Sequence, residues 1–262
     1  MNRIRTIIDK EWAEVFKNKL VLFTVGLLPL LFTIMPLVQL AVTREVDPSE
    51  MNDAPGNVAQ ICQMQGLSNA ECLQGYLVGS FMLFFLIMPL AIPVTIASYS
   101  IVGEKTTRSL EPLLATPTST TEIILGKSLA AVLPAIAATW LSFGIFLVGA
   151  RFLAISDRVY ALMANPMWLI GMALVAPLLT VLSVTVAIVI SSRVNDPRAA
   201  EQLGMTVMIP VLALFFGQML GVFALNVTTM LIFAAILVAV DAAMVSLGVK
   251  LFQRETILTR WK

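Results

Sequence analysis

The chain has 262 residues, of which 58% are hydrophobic and only 13% charged. A water-soluble domain of that length cannot hide so much apolar surface, so the composition excludes a soluble globule and puts most of the chain in lipid. A net charge of +1 argues against a nucleic-acid partner, and the absence of histidine removes Ser-His triads, His-ligated zinc and histidine-based proteolysis.

Along residues 1–18, Ile4, Ile7, Ile8, Trp12, Val15 and Phe16 share one helical face, with Arg3, Arg5, Asp9, Lys10 and Lys17 elsewhere. This pattern predicts a helix lying in the membrane interface, and the mixed charge is not that of a cleavable signal peptide. Apolar runs follow at residues 20–43, 76–102, 128–150, 167–192 and 203–249. A crossing helix needs about 20 residues, so the last run is too long for one span and divides at its polar break, residues 226–229. The expected fold class is an all-α membrane protein: a single domain over 1–262 with six transmembrane helices.

Lysine and arginine set the orientation. With both termini on the cytoplasmic side, every basic residue falls inside except Arg44, Arg151 and Arg158. Residues 44–75 then form an outer loop holding Cys62 and Cys72, for which an oxidising compartment predicts a disulfide, the alternative being two free thiols. Residues 151–165 mix Phe152, Ile155, Val159 and Leu162 with polar groups, which predicts a second interfacial helix.

Between the second and third runs lies a charged, proline-marked segment, residues 103–122. It leads into Gly126-Lys127-Ser128, which has the look of a phosphate-loop tail, but Thr121 stands where the first Walker glycine is required. Ser109 can cap a short helix with Pro112 in its first turn, and Leu110, Leu113 and Leu114 give that helix one apolar stripe. Thr116-Pro117 ends it, and Ser119 with Glu122 forms a capping box that opens the third span.

The stretches EKTTRSLEPLLATP (residues 104–117) and EIILGK (residues 122–127) resemble the signature of ABC-2 type transporter permeases. The resemblance implies a coupling helix that docks into a separate ATPase subunit. Glu104 and Arg108 would fix it by charge, Leu110, Leu113 and Leu114 would fill the ATPase groove, and Glu111 would face its basic rim. It further implies a permease, most simply an exporter, in the plasma (inner) membrane. Its partners would be a pair of ABC ATPases that bind ATP and Mg, and a second permease copy or a related permease. The chain itself would hold no cofactor and would not be an enzyme.

In the next inner loop, Asp196 with Pro197 makes a strong helix start. Arg193, Asp196 and Arg198 are candidates for a second inner contact. Prolines at 29, 36, 89, 93, 134, 177 and 210 are expected to bend the spans. Asn226-Val-Thr228 has the form of a glycosylation sequon but reads as a turn. Asp241 is the one acid well inside a span. It is either an intramembrane polar site for an ion or proton, or a protonated or hydrogen-bonded acid that packs helices at a subunit interface. An ATP-independent carrier working through Asp241 and a non-transporting scaffold are the alternatives to the permease.

Overall fold

The computed structural model describes residues 2–45, 66–106, 119–220 and 225–251. Arg108, Leu110, Glu111, Leu113, Leu114 and Cys62 lie outside the described residues. Among the described residues six helices are long and apolar enough to cross a membrane: Val21–Glu45, Asn69–Glu104, Thr121–Leu153, Asp157–Ser191, Pro197–Gln218 and Val227–Gly248. They are spans 1 to 6 below, preceded by a helix α1, Asn2–Val15.

Span 2 is the core. Met82, Leu83, Phe85, Leu86, Met88, Leu90, Ile92, Val94 and Ile96 are all buried, as a helix that is apolar on every side requires. Spans 3 and 4 and the start of span 5 pack around it. Pro89 cannot donate to the helical ladder, and the turn before it tightens to 3-10 geometry over Leu83–Leu86. That turn lays Phe84 between Phe32 of span 1 and Phe215 of span 5, with ring centroids 5.6 and 4.9 Å away. Phe85 meets Phe143 and Phe146 of span 3. Span 4 carries the opposite irregularity, a π-turn at Gly171–Val175 just before Pro177. Trp140 of span 3 donates its indole N–H to the Met172 carbonyl there, at 2.8 Å.

Span 6 packs on span 4 through a stripe of Met230, Ala234, Leu237, Asp241 and Gly248. Span 5 begins with the short helix Pro197–Gly204, whose Asp196 cap accepts from the Arg198 and Ala199 amides. A Cβ on Gly204 would lie 2.6 Å from Val94, so only glycine lets this helix sit so close to span 2. Thr95 then donates to Glu201 at 2.7 Å, and Ser183 of span 4 donates to the Leu90 carbonyl.

Both segments expected at the membrane interface contain a helix that packs on the bundle. Asp157–Met163 is helical, but Val159 and Met163 are buried and it packs on the start of span 2. Span 2 itself begins at Asn69, earlier than the apolar run, behind a capping box of Ser68 and Glu71. The polar residue that masks this start in the sequence is Gln74, which is fully buried. Its amide donates to the Leu40 carbonyl and Thr43, and its oxygen accepts from the Ile155 amide. The first expected interfacial helix, α1, packs on span 3.

Candidate functional site: a charged junction beside residues 107–118

α1 runs alongside the opening turns of span 3, in the same direction. Arg3 approaches Glu122 at 3.9 Å, Ile7 covers Gly126, and the Trp12 indole donates to the Ala130 carbonyl at 2.9 Å. These contacts advance in step along both helices, so α1 follows span 3 instead of crossing its end. Span 3 has 33 residues, about 50 Å of helix against about 30 Å of hydrocarbon, which leaves turns to spare for such a partner. Its start is secured by Ser119 and Glu122, which satisfy each other's amides as the sequence predicts.

Gly126 makes the approach feasible. A Cβ there would fall 2.7 Å from Ile7 Cγ2, too close for any side chain without displacing α1. One residue on, Lys127 is 8% exposed and reaches two carboxylates that are buried as well, Glu11 of α1 and Glu104 at the end of span 2. Its Nζ is 2.6 Å from Glu11 Oε1 and 2.8 Å from Glu104 Oε2, and it donates to the Ser100 hydroxyl at 2.9 Å. Ser100 in turn donates to Glu11, and Lys10 donates to Glu104. Glu11, Glu104, Lys10 and Lys127 thus balance two negative charges with two positive ones across three helices.

A buried charge is tolerable only when paired and hydrogen-bonded, and removing one partner of such a pair costs about 3–5 kcal/mol. Burial works against the charge on Lys10, but Glu104, with help from Glu11 and Glu14, outweighs it and holds its pKa above the ordinary lysine value. The carboxylates of Glu11, Glu14 and Glu104 come within 4.8 Å of one another, a spacing suited to a cation. The chain supplies that cation itself, as the two lysine ammoniums. What the ion pairs of the junction do is hold three helices in register.

Of the sequence-predicted residues, Glu104 is here, but its described partners are Lys10 and Lys127. Arg108 and the leucines lie outside the described residues, two or more positions past Thr106. Arg193, Asp196 and Arg198 are all exposed, and Asp196 serves as a cap. Asp241 is buried inside its own chain, in the seam with span 4, with no hydrogen bond to either carboxylate oxygen. It falls on the stripe that packs span 6, which is why it does not present a free surface. Cys72 is buried and disulfide-bonded. Glu11, Lys127, Gln74 and Glu201 are the functional or structural polar groups that sequence reasoning misses.

A sequence model of the ABC-2 family transporter proteins matches residues 5–253 of the chain. The chain belongs to the ABC-2 transporter family. No curated protein matches it. Membership and the six apolar helices make it a multi-pass membrane protein of the permease type. The family implies an ABC ATPase as partner. Within ABC-2 terms, Glu104 and Lys127 are the outer charged residues of the two stretches that carry the resemblance, and they are ion-paired to each other across the base of residues 107–118.

Proposed function

We propose that this chain is the membrane-spanning subunit of an ATP-driven exporter, powered by separate ATPase subunits that dock on residues 107–118. The observation that carries the reading is the family match over residues 5–253, which includes every described span. On this reading Leu110, Leu113 and Leu114 fill a groove on the ATPase, Glu111 faces its rim, and both termini lie in the cytoplasm. A second permease, identical or related, completes the pathway, because six spans are half of what the resemblance implies. The substrate-free cycle is simple: ATP closes the ATPase pair, the docked segments move, and the cavity between permeases changes sides. Cys62 is proposed as the disulfide partner of Cys72 on the outer face.

Co-expression with the ATPase subunit tests this. The wild-type chain should retain the ATPase through purification, and Leu113→Glu should lose it while still inserting in the membrane. Retention by Leu113→Glu, or no retention by the wild type, contradicts the docking.

One observation favours a second reading. A buried Asp241 without hydrogen-bond partners is what an intramembrane ion site would look like between turnovers. We assign it to helix packing, because its neighbours on the span 6 stripe are apolar or glycine. Asp241→Asn should leave ATP-coupled transport intact, and loss of transport with normal assembly would move the assignment to the ion site.

A further inference from the structure

We propose that Lys127 is the positioning residue that makes α1 and both roots of residues 107–118 one mechanical unit, so that force applied to that segment reaches span 1 through α1. The inference rests on the permease reading for the origin of the force, and on the geometry for its route. Glu104 stands before the segment and Lys127 after it, and their 2.8 Å ion pair joins the two described flanks. The same ammonium holds Glu11, so the base of the segment and the seat of α1 share one cation.

The route continues past α1 without a slack linker. Backbone hydrogen bonds run Phe16 to Trp12, Lys17 to Glu14, Asn18 to Val15, and then Leu22 to Asn18, bridging the turn into span 1. Span 1 in turn lies against span 3 at its far end, where Leu37 crowds Gly149 and Arg44 donates to the Phe152 carbonyl. Among the described residues no ion pair ties spans 4 to 6 to this base: Glu201 and Gly204 meet span 2 several turns earlier, at Thr95 and Val94. A displacement of the segment is therefore passed to spans 1, 2 and 3 together, while spans 4 to 6 follow through their packing on spans 2 and 3.

Hydrogen exchange on the whole chain in lipid nanodiscs reads this without any ATPase. In Lys127→Met, peptides of α1 and the turn at Ser119 should exchange roughly tenfold faster or more, as local opening demands, while spans 4 and 6 keep their protection. Glu11→Gln, which leaves the Lys127–Glu104 pair in place, should release α1 alone. Unchanged α1 exchange in both variants overturns the proposal, and so does acceleration spread evenly over all spans, which would mark a general loss of fold. In the complex with its ATPase, ATP and vanadate should alter α1 protection in the wild type but not in Lys127→Met. If the ATPase never binds, the permease reading fails while the exchange result still stands or falls separately.

Discussion

Among the described residues, a buried polar junction stands at each end of this bundle, and the two are built on different principles. At the end carrying α1, Lys127, Glu11, Glu104 and Lys10 join three helices by charge. At the far end a single neutral side chain, Gln74, joins spans 1 and 2 and the connection after span 3 with three hydrogen bonds. An amide whose partners are all in place costs little to bury and gains little from moving. A set of buried charges is different, because any one of them left alone is strongly unfavourable. The far end is thus held by neutral hydrogen bonds, and the α1 end by charges that depend on one another.

Substitutions should expose that asymmetry. The largest effect is expected from Lys127→Met, which removes the cation shared by two buried carboxylates and leaves them only Lys10 as a described basic partner, and should lower unfolding free energy in detergent by about 3–5 kcal/mol. Adding Glu11→Gln and Glu104→Gln to it should recover much of the loss, a pattern that simple loss of packing would not give. Gln74→Leu is expected to cost less, about 1–3 kcal/mol, for leaving the Ile155 amide without its partner. An equal or greater loss than for Lys127→Met would erase the contrast. Gly126→Val should cost a similar ~1–3 kcal/mol by overpacking against Ile7, and Ile7→Ala in the same chain should relieve it if the close approach is the cause. Arg3→Ala sits at the bottom, within about 1 kcal/mol, since its 3.9 Å pair with Glu122 is exposed to water.

How legible was this in the sequence? Six apolar runs, the Ser119 capping box and the Asp196–Pro197 helix start all appear in the structure, because length, hydropathy and capping are local properties. The site was legible only at Glu104. Reading α1 as amphipathic sends its charges to water, yet Glu11 lies on the buried face between Ile7 and Val15. Its partner is 116 positions away, and nothing near Glu11 announces it. Lys127 was obscured differently, by a false likeness to a phosphate loop: glycine before lysine here serves a close helix approach and an ion pair. Gln74 was hidden by being polar where a span begins, although burial with every hydrogen bond made is compatible with either.

The most direct test is an electron cryo-microscopy structure of the chain in nanodiscs, assembled with its ATPase. The account predicts α1 lying along residues 122–130, with the Lys127 ammonium within about 3 Å of both Glu11 and Glu104. An α1 lying flat across the membrane surface, with Lys127 facing water, would contradict it.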